Sequence, residues 1–122
     1  MRCRPGLAAA LVLLAGVAVA ARGEAHAFLK SASPPVGSTV AAPKSVAITF
    51  TEAVEPTFSS IVVQDAQRKR VDDGDLHAAS SDGKRLEVGL KAVAPGTYTV
   101  IWHATSVDTH KTEGHFSFTV KP

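Results

Sequence analysis

Sulfur is almost missing from this 122-residue chain, which has one cysteine, Cys3, and one methionine, Met1. A lone cysteine excludes an internal disulfide. With both sulfur atoms in the first three residues, the rest of the chain has no thiolate or thioether for a soft metal ion. Aromatic residues make up only 6% of the chain, with one Trp and one Tyr. Two catalytic signatures are also absent: no Gly-x-Ser-x-Gly and no phosphate-cradling glycine loop occurs. Neither sign of charge dominates. The formal net charge of +2 owes its excess to Arg2, Arg4 and Arg22, and residues 26–122 carry ten basic and ten acidic side chains. That balance excludes the basic surface that nucleic acid or anionic lipid requires.

The N-terminal segment reads as an export signal. Arg2 and Arg4 precede an apolar run from Leu7 to Ala21, and small residues Gly23 and Ala25 precede His26. A basic start, a short apolar stretch and a small-residue cut site define a secretory signal peptide. The run is short for a membrane span, which needs about 20 residues. Cleavage is expected after residue 25, so that 1–25 is removed and His26 becomes the first residue. Ala18-Val19-Ala20 and Val19-Ala20-Ala21 also satisfy the small-residue rule and would leave a different N-terminus. Removing 25 residues leaves 97, enough for one domain around one core.

From His26 onward there is no sustained helical period. Short runs rich in β-branched and aromatic residues alternate with Pro, Gly, Asp and Ser, the pattern of strands and turns. Strands are predicted at Val46 to Phe50, Phe58 to Gln64, Leu86 to Leu90, Tyr98 to Ala104 and Phe116 to Val120. Shorter ones are predicted at Phe28 to Ser31 and around Arg70 to Leu76. Ile61, Val62 and Val63 are apolar on both parities, which predicts an interior strand for that run. Ser33-Pro34-Pro35-Val36-Gly37, Asp72-Asp73-Gly74-Asp75 and Ser81-Asp82-Gly83 carry turn chemistry. Pro95-Gly96-Thr97-Tyr98 has the form of a tyrosine corner. About seven short strands predict an all-β, antiparallel, immunoglobulin-like Greek-key sandwich.

Chemistry therefore falls to the histidines: His26, His77, His103, His110 and His115. At a free N-terminus, the α-amine and ring Nδ1 of His26 chelate a single ion. The amine must lose a proton to bind, and its ordinary pKa of about 8 allows this near neutrality. Copper(II) heads the divalent affinity order and favours tetragonal nitrogen and oxygen ligands. Asp108-Thr109-His110 offers a further nitrogen and an oxygen, on side chains that leave one face if the backbone is extended. His103 and His115 lie on strand faces opposite Trp102 and Phe116, and His77 lies in a polar turn region. These three are expected to be solvated.

Taken together, His26-Ala27-Phe28-Leu29, Ser33-Pro34 with Gly37, Phe50-Thr51-Glu52, Pro95 to Trp102, Ser106-Val107-Asp108-Thr109-His110 and Gly114 to Val120 resemble the CopC family. These are periplasmic copper-binding proteins of copper resistance and homeostasis. The resemblance covers essentially all of residues 26–122 in the same order and spacing. It implies one copper(II) ion per chain, held by the amine and ring of His26, by His110 and by Asp108. It also matches Glu52 to an acidic position near the site. Two departures stand out. The family triplet is usually Asp-Gly-His, and Thr109 replaces the glycine; if that position takes a positive φ, a β-branched residue there is strained. A methionine-rich copper(I) segment, present in some members, has no counterpart after Met1.

The expected function is a periplasmic, monomeric copper(II) carrier or buffer, without enzymatic activity, that serves a separate membrane copper transporter. One alternative is a copper-brace oxidative enzyme similar to polysaccharide monooxygenases. The scarcity of aromatics for sugar stacking argues against it, as does Asp108 in a position oxygen would need. A second alternative is a structural sandwich that binds no metal.

Overall fold

Residues 27–122 are described by a computed structural model of the chain. Each alternating run buries only one face, so two sheets must close over each other to cover both apolar surfaces. The strands are β1 (Leu29–Ser33), β2 (Thr39–Val40), β3 (Ser45–Phe50), β4 (Ser60–Gln64), β5 (His77–Ala78), β6 (Arg85–Gly89), β7 (Gly96–Thr105) and β8 (Lys111–Val120). One sheet has the order β1-β3-β6-β5 and the other β2-β8-β7-β4. Among the described residues there is no α-helix, only a 3₁₀ turn at Pro56–Phe58. The chain is an all-β, immunoglobulin-like sandwich.

The inward face of each strand fills the space between the sheets. Val46, Ile48 and Phe50 of β3 and Leu86 and Val88 of β6 oppose Val100 and Trp102 of β7 and Phe118 of β8, all buried. Phe50 and Trp102 meet edge to face across the sandwich, with ring centroids 5.3 Å apart. Burying each such side chain contributes about 2 kcal/mol. The Tyr98 hydroxyl donates to the Ala94 carbonyl at 2.6 Å, which realises the tyrosine corner.

Three local expectations are corrected. The run from Phe58 to Gln64 does not lie in the sheet interior. Its strand starts at Ser60, forms the sheet edge beyond β7, and leaves Val62 half-buried. Pro56 starts a 3₁₀ turn that turns Phe58 out to solvent, and three consecutive apolar residues cannot by themselves reveal an edge. The stretch from Arg70 to Leu76 holds only isolated bridges, Gln64 with Arg70 and Asp72 with Leu90; the short strand follows at His77. Here the buried Asp72 carboxylate accepts from Val63 N–H, Arg70 Nε and Gly74 N–H, so a side chain replaces ladder bonds. Pairing is also not wholly antiparallel, because β2 runs parallel to β8.

The register brings four chain segments to one pole. β1 begins where β3 ends, with Leu29 opposite Phe50. β7 ends where β8 begins, with Thr105 opposite Lys111.

Candidate metal centre

Between β7 and β8 the chain turns through Ser106–His110. Ser106 N–H donates to the His110 carbonyl at 2.9 Å, and Thr109 N–H to the Ser106 carbonyl at 2.8 Å. The turn is also braced from the segment after β3: Val107 N–H donates to Ala53 O at 3.1 Å, and Glu55 N–H to Thr105 O at 2.8 Å. The backbone is thus a tight turn and not the extended segment expected for Asp108-Thr109-His110. Thr109 closes it with φ 75°. A β-branched side chain in that left-handed region costs about 1–2 kcal/mol, so the loop keeps the glycine-like path and stores strain.

The turn brings the two side chains together. His110 Nδ1 lies 3.4 Å from Asp108 Oδ1, and both side chains are about half exposed. Two donors at that separation can share one ion at the roughly 2 Å ligand distances usual for small divalent metals. Beneath them Ser106 is buried. Its hydroxyl donates to Asp108 Oδ1, and it accepts the His110 N–H at 3.2 Å. The Ser106 hydrogen bond, then the adjacent His110 ring, hold the Asp108 carboxyl below its ordinary pKa. The carboxylate therefore stays charged to lower pH than a free one.

The expected third and fourth donors belong to His26, which lies outside the described residues, as does the whole of the expected signal peptide, 1–25. Among the described residues no three His, Cys, Asp or Glu side chains converge on a metal position. The chain directly after His26 is nevertheless firmly held. Ala27 is fully buried in the core, and its carbonyl accepts the Thr112 hydroxyl. Phe28 exchanges bonds with Thr51: Phe28 N–H to Thr51 Oγ1 at 3.0 Å, and Thr51 N–H to Phe28 O at 2.8 Å. Glu52 follows Thr51 in the same exposed bend, on the pole of the Ser106–His110 turn.

The remaining histidines lie elsewhere. His77 is exposed on β5, with Nδ1 2.8 Å from Asp75 O and Nε2 3.3 Å from Glu87 Oε1; the Asp75 carbonyl leads in raising its pKa. His103 lies across from Glu113 on the outer face of the second sheet, 3.2 Å from its carboxylate, and His115 is exposed on the same face. Sequence reading assigned no role to Ser106, Thr112 or Thr51. Hydroxyl residues are too common on strands and turns for their spacing to single them out.

Fold and pole together define a β-sandwich with an Asp–His pair at the end where Ala27 is anchored. The CopC domain model matches residues 29–121, and the chain belongs to the CopC family. It is 39% identical over 99 residues to Protein YobA of Escherichia coli K12, covering 80% of each chain. It superposes on the crystal structure of CopC from Methylosinus trichosporium OB3b with a TM-score of 0.74 and 38% identity, covering 80% of this chain and 95% of that one. It also superposes on PcoC from Escherichia coli, a methionine-rich copper resistance protein, with a TM-score of 0.69 and 33% identity, covering 80% of this chain and all of PcoC.

Proposed function

We propose that this protein is a periplasmic copper(II) carrier or buffer in copper resistance and homeostasis. It takes one ion per chain and has no catalytic turnover. The mature chain begins at His26. The ion is held by the His26 α-amine and ring, His110 and the Asp108 carboxylate, with Glu52 close by. Copper is the cargo, passed to or from a separate membrane transporter.

One observation carries the reading: Ala27, the residue after His26, is bonded through its carbonyl to Thr112, two residues beyond His110. A Cα lies only 3.8 Å from its neighbour's across a trans peptide, so this anchor supports a meeting of the freed N-terminus with the Asp108–His110 pair. Nitrogen and carboxylate donors without sulfur suit copper(II) better than copper(I). Unlike the methionine-rich PcoC, this chain has no methionine after Met1.

Intact mass of the exported protein, with and without copper, tests the proposal. The expected result is a chain starting at His26 that gains one copper ion. A start at Ala21 or Arg22 would remove the amine from the chelate and defeat the assignment.

A further inference from the structure

The Asp108 and His110 side chains are about half exposed on a turn, and any ordering left to the metal ion would cost it entropy. Ser106 Oγ contacts the Asp108 side chain and the backbone of His110. Ser106 is 1% exposed, the last residue before the turn, and bridged to Val54 of the segment after β3. Its hydroxyl has one proton and two lone pairs. The proton goes to Asp108 Oδ1, and a lone pair accepts the His110 N–H at 3.2 Å. The same oxygen is 3.3 Å from the His110 carbonyl, which already receives Ser106 N–H.

From this geometry we infer that Ser106 is the positioning residue of the copper(II) site: it holds the Asp108 carboxylate in a ligating orientation before the ion arrives. The inference rests on the copper(II) reading of the same loop. Outer partners that fix first ligands are worth about ten- to a hundredfold in metal affinity. Here the hydroxyl sits on the buried residue just after β7, bridged to Val54, whereas the ligand sits on the exposed part of the turn. The donor end is therefore buried and ordered, and the carboxylate conforms to it. Alanine would keep the Ser106 N–H bond to the His110 carbonyl and remove both hydroxyl contacts, of which only the one to Asp108 is also lost in Asp108→Ala. Threonine would retain the hydroxyl.

The test is a double-mutant cycle on the mature protein, with copper(II) affinity from chelator competition and electron paramagnetic resonance spectra as readouts. Ser106→Ala should weaken copper(II) about tenfold in the native background but no more than about twofold in Asp108→Ala, because the two act through one contact. Its spectrum should shift toward that of Asp108→Ala, and Ser106→Thr should restore both affinity and spectrum. Equal losses in the two backgrounds, or an unchanged spectrum, would overturn the inference. A measurement that avoids Ser106 variants covers the case in which alanine does not fold. The Ser106 hydroxyl proton should give a slowly exchanging resonance in the metal-free protein, lost in Asp108→Ala. A resonance unchanged in that variant counts against the pair. If the native mature protein takes up no copper(II), the functional reading itself fails; if it binds and Ser106→Ala binds equally well, only the positioning role falls.

Discussion

The Thr112 hydroxyl donates to the Ala27 carbonyl across 85 positions of sequence, which ties the start of the described chain to β8 just after the Asp108–His110 turn. Everything expected of the copper site depends on this closure of the N-terminal segment against β8.

Copper(II) affinity should fall in a fixed order. One residue added before His26 converts the amine to an amide and destroys the chelate, the largest loss. His110→Ala removes a nitrogen that only solvent can replace, and Asp108→Ala removes an oxygen that water partly supplies. Each loss should be at least about tenfold, or roughly 1.4 kcal/mol. His103→Ala and His115→Ala should change affinity little. Chelator competition on the set decides it, and an extended protein with native affinity would remove the N-terminal site.

Acid should weaken copper(II) binding below about pH 6, where imidazole and amine protons compete with the ion. Asp108 should not set this limit, because the Ser106 hydrogen bond and the His110 ring lower its pKa. Asp108→Asn should therefore lower affinity at neutral pH without moving the midpoint of its loss on acidification. A midpoint that shifts with Asp108 would reassign the limiting group.

Thr109→Gly should stabilise the metal-free protein by up to about 1 kcal/mol. Relief of the φ 75° strain is worth about 1–2 kcal/mol, partly offset by the greater freedom of glycine in the unfolded chain. Copper(II) affinity should remain within about threefold, since the turn already follows the glycine path. Denaturant unfolding and copper titration together check this; a loss of stability would mean that Thr109 is not strained.

Gly114→Ala should destabilise the fold by about 1–3 kcal/mol through overpacking. A Cβ at Gly114 would stand 2.6 Å from Trp102 Cζ2, inside any tolerable contact, and the indole also packs edge to face against Phe50. The gain of up to about 1 kcal/mol from a less flexible unfolded chain does not offset this. Denaturant midpoints and the near-ultraviolet dichroism of Trp102 report the change.

Asp72→Ala should cost about 3 kcal/mol, because it strands the Val63 N–H and unpairs Arg70. Burial opposes the charge on Asp72, but the Arg70 hydrogen bond, the Val63 N–H and the Arg70 charge outweigh it and lower its pKa. A carboxylate with a depressed folded pKa contributes its full stability above the unfolded value of about 3.9, and loses it as pH falls through the folded one. Stability of the native protein should therefore fall more steeply below about pH 4 than that of Asp72→Asn, as measured by urea unfolding across pH. Parallel acid limbs would show that Asp72 is not linked.

Local chemistry alone determined much of this protein. The alternation at Val46 to Phe50 and Tyr98 to Ala104 specified half-buried strands, because a pleated strand sends successive side chains to opposite faces. Pro95-Gly96-Thr97-Tyr98 announced the corner that the Tyr98–Ala94 bond completes. His26, Asp108 and His110 were readable as ligand candidates from residue type and order. The tertiary structure decided what depends on pairing partners distant in sequence. It put the Phe58 to Gln64 run on an edge, replaced the strand near Arg70 with a web of bonds to Asp72, and seated Ala27 on Thr112. It also put Thr109 in the left-handed region, where the Ser106–His110 turn closes between β7 and β8. Ser106 became legible only there. A serine hydroxyl acquires a role from the groups a fold brings within hydrogen-bond reach, and those groups are set by the register of two strands.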